Sequence, residues 1–415
     1  MKSVNLDKLA ELAQSNKGLG RPAQLQRNSL NVARQDVSLP CLCIYQSRLD
    51  NNIHWMAEFA RQSQVKFAPH GKTTMTPAIF KQQLAAGAFA ITVATVAQAQ
   101  VAVNAGAKRV LMANQLVGRA NCQHLADILR SSDVEFFCLI DNIDNIQALD
   151  QFFSEQRLHI NVLIELGVAG GRCGINTNAQ LMTVVNEVQQ ANALRLAGIE
   201  VYEGVLKSQQ AVSDFLTNAV EQCKHLLELE VFDTPEVMIT AGGSAWYDVV
   251  CEAFQPQNLA PGMYAVIRPG CYVTHDQGIY QQAQQDVIER SALACALGSE
   301  LQSCLEIWAY VQSLPEPGRA IIGMGKRDVA FDAGFPVANL HINQQGVVTP
   351  AKQDWHIQKL MDQHAMLLVG DDANLKVGDI IAFGTSHPCL TFDKWRYINL
   401  INDEFDVIDV YETCF

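Results

Sequence analysis

The chain has 415 residues, of which 49% are hydrophobic and 18% are charged, with a net charge of −13. This balance excludes a long disordered or repetitive protein, and the excess of acidic groups excludes nucleic acid and anionic membranes as ready partners, because no basic patch offsets it. A chain of this length is too long for one ordinary hydrophobic core, so we expect two domains. The acidic charge makes small molecules the expected partners.

Short apolar runs alternate with amphipathic segments from about residue 40 to about residue 275. We expect a first strand at 41–45 with a helix at 49–62, and a second strand at 65–68 with a helix at 77–86. The alternation continues with strands at 89–93, 109–113, 135–140, 160–166, 196–202, 237–240 and 265–268, and with helices at 97–104, 122–129, 143–152, 180–190 and 214–228. About eight such units predict a (β/α)8 barrel over residues 37–285, with a doubly wound sheet as the weaker option.

The pattern changes beyond residue 285, where apolar runs are separated by Gly, Pro and Asp turns. Strands are expected at 292–297, 306–312, 319–322, 365–369 and 379–383, which predicts an all-β domain over residues 286–415. Residues 1–36 are expected to be an N-terminal segment packed on that domain. The chain start lacks the apolar run of a signal peptide, and the cysteines form no compact framework, so we expect a cytoplasmic protein with reduced thiols.

Lys72 is the first candidate catalytic residue. It stands in Pro69-His70-Gly71-Lys72-Thr73, just after an apolar run. A lysine in a dry pocket at a strand end loses its preference for the charged form, and a neutral amine can attack a carbonyl to form an imine. Most lysines are solvated surface groups, which is the ordinary alternative. An imine-forming lysine suits pyridoxal phosphate.

Other polar clusters follow the predicted barrel strands at their C-terminal ends, where barrel active sites form. The segment Gly242-Gly243-Ser244 is more often an ordinary turn, but it can also offer backbone N–H groups and a hydroxyl to a phosphate. With Lys72 early in the barrel, such a phosphate nest makes a pyridoxal phosphate pocket plausible. The remaining clusters are Glu165 with Arg172, Tyr202 with Glu203, and Gly270 with Tyr272.

These motifs resemble those of the fold type III pyridoxal phosphate enzymes, specifically the D-serine dehydratase and D-threonine aldolase branch with its bacterial D-serine deaminase-like amino acid deaminases. The resemblance covers nearly the whole chain and implies an alanine racemase-like fold. Its motifs are Pro-His-Gly-Lys-Thr at 69–73, Glu-Leu-Gly at 165–167, Arg-Cys-Gly at 172–174, Gly-Gly-Ser at 242–244, Arg-Pro-Gly-Cys-Tyr at 268–272 and Ser-His-Pro-Cys at 386–389.

The resemblance implies a set of cofactor residues around Lys72. Lys72 would carry the imine to the cofactor and, once released by a substrate amine, would act as the base that removes the α-proton. Arg172 would lie near the cofactor ring, or else form a structural salt bridge, and His70 would position Lys72 or the phosphate, or else cap the turn. The other expected cofactor-binding residues are Tyr202, Gly242, Gly243, Ser244, Gly270 and Tyr272.

Arg268 stands in an Arg-Pro-Gly setting similar to the one that aims an arginine at the cofactor's pyridine nitrogen in alanine racemase. Because an arginine does not readily give up its proton, it would leave that nitrogen unprotonated and weaken the ring as an electron sink. Carbanion stabilisation would then need help from another group.

The His-x-Cys pair His387 and Cys389 is the candidate source of that help. Residues two apart in an extended segment project to the same side, so an imidazole and a thiolate can converge on one ion. On spacing alone a structural turn is the better interpretation, but the pair resembles the zinc pair of D-serine dehydratase. The resemblance therefore implies a divalent metal, with thiolate and imidazole suiting Zn²⁺, whereas the aldolase branch uses an oxygen ligand and a harder ion such as Mn²⁺.

The resemblance implies a lyase that acts on 3-hydroxy D-amino acids, with D-serine converted to pyruvate and ammonia as the first expectation. A D-threonine aldolase and a metal-independent racemase are the alternatives, and a non-catalytic pyridoxal phosphate carrier is a weaker one. A homodimer is expected. Glu203, His275, Asp276, Lys326 and Arg327 receive no assigned role.

Overall fold

The computed structural model describes residues 17–19, 30–243, 245–370 and 373–415. The described helices are α1 (Gln46–Gln62), α2 (Pro77–Ala85), α3 (Val96–Asn104), α4 (Arg119–Ser131), α5 (Ile143–Gln156), α6 (Asn178–Val188), α7 (Gln209–Glu228), α8 (Tyr247–Ala253), α9 (Ile279–Arg290), α10 (Ala292–Ala296) and α11 (Cys389–Phe392).

The described strands form two sheets. They are β1 (Cys41–Tyr45), β2 (Lys66–Phe67), β3 (Ile91–Val93), β4 (Arg109–Gln115), β5 (Glu135–Ile140), β6 (Ile160–Leu166), β7 (Leu194–Val201), β8 (Val237–Ala241), β9 (Met263–Ile267), β10 (Leu305–Glu316), β11 (Arg319–Ile322), β12 (Val337–Ile342), β13 (Val348–Pro350), β14 (His356–Leu360), β15 (Ala365–Leu368), β16 (Ile380–Gly384), β17 (Tyr397–Ile401) and β18 (Val407–Glu412).

Strands β2 to β9 form a closed parallel barrel. Neighbours pair in chain order from β3 to β9, and β2 pairs with β9. The ring closes between β2 and β3, where His70 and Thr92 form a parallel bridge and the Thr92 N–H donates to the Pro69 carbonyl at 2.9 Å. Apolar side chains such as Phe137 and Met238 fill the interior. The predicted (β/α)8 barrel followed by an all-β domain is confirmed.

The first predicted strand does not belong to the barrel. β1 lies inside the second sheet, antiparallel to β10 and parallel to β17. All of its residues are buried, and a continuous apolar run looks the same in a parallel barrel and in the centre of a mixed sheet. The barrel therefore begins at the two-residue β2, and the second domain takes its central strand from before the barrel.

One predicted strand of the second domain is a helix. The segment expected as a strand at 292–297 forms α10 instead, because Ser291 accepts a hydrogen bond from the Ala294 N–H at 3.2 Å and caps a run rich in alanine. The apolar pattern also does not predict α8, α9, β12, β13, β14, β17 or β18.

The described parts of the N-terminal segment contact the second domain. The Lys17 ammonium lies 2.6 Å from Asp328 Oδ1 and 3.8 Å from the centre of the Trp395 ring. Asn31 forms an antiparallel bridge with Asp406. Within the described ranges, no helix combines the length and apolarity needed to cross a bilayer.

Candidate active site

A cavity of about 610 Å³ opens where the C-terminal ends of the barrel strands meet the second domain. Lys72 enters it from the turn after β2, and Gly270 enters from the turn after β9. His387 and Cys389 reach it from the second domain, just before and within α11. The fold thus brings the predicted imine-forming lysine and the predicted metal pair into one cavity.

Lys72 sits in a single 3-10 turn, Gly71–Thr73, above the barrel. Gly71 permits this turn, because a Cβ there would lie 2.6 Å from the Phe80 ring. The Lys72 side chain is exposed to the cavity rather than enclosed in a dry pocket, because the turn lifts it off the strand end. The structure therefore places Lys72 in the cavity but does not bury its side chain.

Arg268 is fixed by a buried carboxylate. Its Nη2 hydrogen-bonds to Glu200 Oε1 and donates to the Val201 carbonyl at 3.0 Å. Arg268 and Glu200 are 4% and 1% exposed, and burial is the main cause that raises the pKa of Glu200. Both residues line the cavity, and Glu200 is a carboxylate partner of Arg268 that the sequence pattern did not assign.

Arg172 lies over the Tyr202 ring, with its guanidinium carbon 4.9 Å from the ring centre. Its Nη2 is 4.0 Å from Glu165 Oε1, and 56% of its side chain is exposed. The contact with Glu165 is therefore long, and more than half of the Arg172 side chain is accessible beside the cavity that it lines together with Tyr202.

The expected phosphate nest is partly occupied by the protein itself. Gly242 and Gly243 line the cavity, but the Gly242 N–H donates to Oε2 of the buried Glu203 at 3.1 Å. Gly243 has φ of +44°, and a Cβ there would lie 1.6 Å from Glu203 Oε1, so glycine is required twice over. Burial is the main cause that raises the pKa of Glu203.

Of the other residues predicted to bind the phosphate, Gly270 lines the cavity and Tyr272 does not. Tyr272 is 2% exposed, and its hydroxyl accepts a hydrogen bond from Gln83 Nε2 at 3.0 Å, so its side chain points toward α2 instead. Ser244 lies outside the described residues. His70 lines the cavity, and burial is the main cause that lowers its pKa.

His387 and Cys389 are adjacent donors. A hydrogen bond between their side chains is the largest cause that raises the pKa of His387 to about 9. The pKa of Cys389 falls to about 4, chiefly because Cys271 hydrogen-bonds to it, with the two sulfurs 3.6 Å apart. Thr73, next to Lys72, contacts Cys389 with Oγ1 3.5 Å from Sγ. The metal pair and the lysine turn are thus in direct contact.

The sequence pattern also did not assign Cys271 and Tyr280, which line the cavity, or Asp332, which contacts the cavity residue His387. Cys271 stands inside the Arg-Pro-Gly-Cys-Tyr motif, which could have indicated it, and Tyr280 follows it into the cavity. Asp332 accepts a hydrogen bond from His387 Nδ1 at 2.8 Å, across 55 residues of chain, and no local signal relates the two.

Most residues left without a role have structural contacts. Asp276 Oδ1 accepts the backbone N–H groups at the start of α9, and His275 is buried beside it with φ of +51°. The backbone N–H groups of Lys326 and Arg327 donate to the Met361 and Asp362 carbonyls. Asp141, Glu165 and Cys173 form a separate group of possible metal ligands beside Arg172. Asp141 and Glu165 already accept hydrogen bonds there.

The site residues fit pyridoxal phosphate and a metal ion. Arg268 Nη1, Glu200 Oε2 and His70 Nδ1 are buried without a hydrogen-bond partner, so the cavity wall holds polar groups that a polar ligand can satisfy. The volume lies within the usual range for cofactor pockets. An imidazole beside a thiol is a donor set that suits zinc, although two ligands leave the shell to be completed by water or substrate.

Two family models match the chain. Residues 44–274 match "Alanine racemase, N-terminal domain", and residues 304–401 match "Putative serine dehydratase domain". Among curated proteins, D-threonine aldolase of Arthrobacter sp. is 24% identical over 91% of this chain and 92% of its own. The 3-hydroxy-D-aspartate aldolase of Paracoccus denitrificans (strain Pd 1222) is 22% identical over 90% and 91%.

Solved structures share the fold. D-threonine aldolase from Filomicrobium marinum superposes with a TM-score of 0.77 at 22% identity, covering 93% of this chain and 97% of its own. D-threo-3-hydroxyaspartate dehydratase from Delftia sp. HT23 gives 0.71 at 20% identity, covering 93% and 99%. Solved forms of that dehydratase include a histidine-to-alanine variant and, two positions further on, a cysteine-to-alanine variant described as metal-free.

Proposed function

The chain belongs to the alanine racemase N-terminal domain family of fold type III, and from that premise we propose that it is a pyridoxal phosphate- and metal-dependent lyase acting on 3-hydroxy D-amino acids. The reaction we propose is dehydration followed by deamination, with D-serine giving pyruvate and ammonia. One observation carries the proposal: Lys72 and the pair His387 and Cys389 line the same cavity and meet through Thr73.

Lys72 has two tasks in this mechanism. Its Nζ would be the nucleophile that holds pyridoxal phosphate, and once released it would be the base that accepts the proton from the substrate Cα. When bound, the cofactor withdraws electrons from Cα. Arg268, held by Glu200, keeps a positive charge at the cofactor side of the cavity, and Arg172 offers a cation to the substrate carboxylate.

His387 and Cys389 would hold the metal ion. When bound, a divalent ion supplies Lewis acidity toward the β-hydroxyl of the substrate. The protein's contribution would be a neighbouring imidazole and thiolate in the cavity that Lys72 also lines, a donor pair that makes zinc the preferred ion and Mn²⁺ the less favoured one.

The cysteine favours a dehydratase over an aldolase. The family resemblance associates a His-x-Cys pair with dehydratases, and the relative from Delftia whose cysteine variant is described as metal-free is a dehydratase. An aldolase that cleaves the Cα–Cβ bond is the second candidate, because D-threonine aldolase relatives align with nearly the whole chain.

The charges of the cavity favour a substrate with an uncharged side chain. Of the described residues that line the cavity, the arginines are Arg172 and Arg268, and Arg268 is already paired with Glu200. One arginine is thus available for a carboxylate, whereas 3-hydroxyaspartate carries two. Asp393 follows α11 at the metal side of the cavity and would repel a second carboxylate.

Product analysis of the purified, cofactor-loaded protein tests the reaction. We expect keto acid and ammonia from D-serine, with D-threonine as a second substrate and little turnover of 3-hydroxy-D-aspartate or of the L-enantiomers. A chelator or the Cys389→Ala change should abolish activity. Aldehyde with glycine would replace the proposal by an aldolase, and racemisation that survives metal removal would replace it by a racemase.

Lys72→Ala tests the cofactor attachment separately. Reduction of the wild-type protein with borohydride should attach a pyridoxyl group to the peptide that contains Lys72, and mass spectrometry would identify the site. We expect no such adduct and no imine absorbance in Lys72→Ala, whereas Lys81→Ala, a lysine of α2 that does not line the cavity, should behave as wild type. An adduct on another lysine would contradict the assignment of Lys72 as the residue that attaches the cofactor.

A further inference from the structure

Asp332 holds the ring of His387 in one orientation. The His387 Nδ1–H group donates to Asp332 Oδ2 at 2.8 Å, with the side chains 25% and 44% exposed. His387 also hydrogen-bonds to Cys389. Because Asp332 engages Nδ1, Nε2 is the ring nitrogen left for another partner. The two residues of the expected metal pair are also in contact with each other.

The backbone segments that carry the two partners are tied together on both sides of the carboxylate. Before it, the Ala330 N–H donates to Thr391 Oγ1 at 3.1 Å, and the same hydroxyl donates to the His387 carbonyl at 2.9 Å. After it, the Ser386 hydroxyl donates to the Gly334 carbonyl at 2.7 Å. An exposed carboxylate on a free loop would be a weak partner, but here the fold sets its distance from the ring.

We propose that Asp332 is a positioning residue of the metal site, an inference that rests on the proposed function. It keeps the proton of His387 on Nδ1 and so presents Nε2 as the metal-binding nitrogen. Metal-bound histidines commonly donate their other N–H to a carboxylate, which fixes the tautomer and raises the basicity of the ligand, and losing such a partner costs about 10–100-fold in metal affinity.

Asp332 acts through His387 and not as a third ligand. Across the described ranges, Asp141, Glu165 and Cys173 form the one group of three such donors whose ligand atoms all lie within 4.8 Å of one another. Asp332, His387 and Cys389 do not meet that condition, although His387 contacts each of the other two. The carboxylate and the sulfur therefore each contact the imidazole without forming a three-donor group with it.

Metal affinity of the full chain loaded with pyridoxal phosphate tests the inference. We would strip the protein of metal and measure Zn²⁺ and Co²⁺ dissociation constants by chelator competition for wild type, Asp332→Asn, Asp332→Ala and the control Asp362→Asn, an exposed acid of the same domain. Both Asp332 variants should bind about 10–100-fold more weakly, and the control should match wild type. Asp332→Asn should also weaken metal binding, because the asparagine amide can donate to Nδ1. The ring proton would then move to Nε2, the nitrogen proposed to bind the metal.

Three spectroscopic measurements separate positioning from a general structural effect. The visible spectrum of bound Co²⁺ should change in the Asp332 variants but not in Asp362→Asn, while circular dichroism stays the same for all four proteins. In zinc-loaded wild type, ¹⁵N NMR of labelled histidine should show a proton on Nδ1 and the metal on Nε2. Metal on Nδ1 would overturn the inference.

The outcomes also separate this inference from the proposed function. If both Asp332 variants bind within about twofold of wild type with an unchanged Co²⁺ spectrum, Asp332 has no positioning role, while the metal site and the lyase stand. If wild type binds no metal, or His387→Ala binds it as well as wild type does, both the inference and the proposed function fall.

Discussion

Glu165 is a carboxyl group that the fold keeps almost out of water at the end of β6. It is 3% exposed, and burial, followed by the charge of nearby Glu200, raises its pKa from the usual 4.5 to about 7. Its Oε2 accepts a hydrogen bond from Gln115 Nε2 at 2.6 Å. A carboxyl group with a raised pKa holds its proton more tightly in the folded chain than in the unfolded one. Its contribution to stability is therefore complete below pH 4.5 and is lost as the pH rises through about 7.

We expect Glu165→Gln to remove this pH dependence, because glutamine keeps the hydrogen bond to Gln115 without a charge. Relative to the variant, wild type should lose up to about 3 kcal/mol of unfolding free energy between about pH 4 and 8, since each unit of pKa shift corresponds to about 1.4 kcal/mol. Denaturant unfolding across this range measures the difference. Glu155→Gln, at an exposed position on α5, is the control, and parallel profiles for wild type and Glu165→Gln would refute the expectation.

At the scale of elements, β7 contains a local irregularity that depends on one glycine. The register with β6 shifts between Val162 and Leu163, which pair with Leu196 and Gly198 and leave an extra residue in β7. Gly198 has φ of +155°, and a Cβ there would lie 1.9 Å from the Met238 carbonyl oxygen of β8. Such a bulge allows β7 to turn with the barrel, and only glycine fits it.

We expect Gly198→Ala to destabilise the protein by at least about 3 kcal/mol, because the methyl group meets backbone that cannot move without breaking the barrel ladder. Gly106→Ala is the matched control, since Gly106 also has a positive φ, +102°, but has open space around it. It should cost only about 1 kcal/mol for the strained backbone. Thermal and denaturant unfolding compare the two, and equal losses would mean that φ alone matters.

The helix α10 stands where the apolar pattern predicts a strand of the second domain. A strand was expected at 292–297 because the run is short and apolar, and the cap at Ser291 instead starts a helix. Propensity and a cap decide the outcome where no neighbouring strand offers a ladder.

At the scale of the whole molecule, the site is shared between the two domains. The barrel supplies Lys72, and the second domain supplies His387 and Cys389. The two domains are also linked through β1, which precedes the barrel in the chain but pairs with β10 and β17 of the second sheet. Leu42, Ile44 and Tyr45 of β1 are at most 1% exposed under this cover.

We therefore expect that the barrel does not fold alone. Removal of residues 300–415 would expose β1, with a cost of about 1.5–3 kcal/mol for each large apolar side chain that loses its cover. The truncated chain should be insoluble or lack cooperative thermal unfolding by circular dichroism. Cys389→Ser in the full chain, which changes a proposed metal ligand but removes no strand, should unfold as wild type does in the absence of metal. A soluble truncated chain with a cooperative transition would show that the domains are independent.

The homodimer implied by the family resemblance stays a prediction, and analytical ultracentrifugation of the full chain would check it.

Periodicity was sufficient to predict the barrel and the all-β domain, and strand-end chemistry was sufficient to place Lys72 at the edge of the barrel. These features are local: a strand or helix shows its burial in consecutive residues, and polar groups directly after parallel strands must gather at one edge. The motif at 386–389 could be related to Lys72 only through family resemblance.

Contacts between distant residues were settled by the tertiary structure alone. Arg268 and Glu200 are 68 residues apart, Asp332 and His387 are 55 apart, and neither member of either pair carries a local mark of its partner. The same holds for β1, whose apolar run suits either sheet, and for Lys72, whose exposure follows from the turn that holds it. The sequence pattern shows which residues are buried or stand at strand ends, whereas only the folded chain decides what each one meets there.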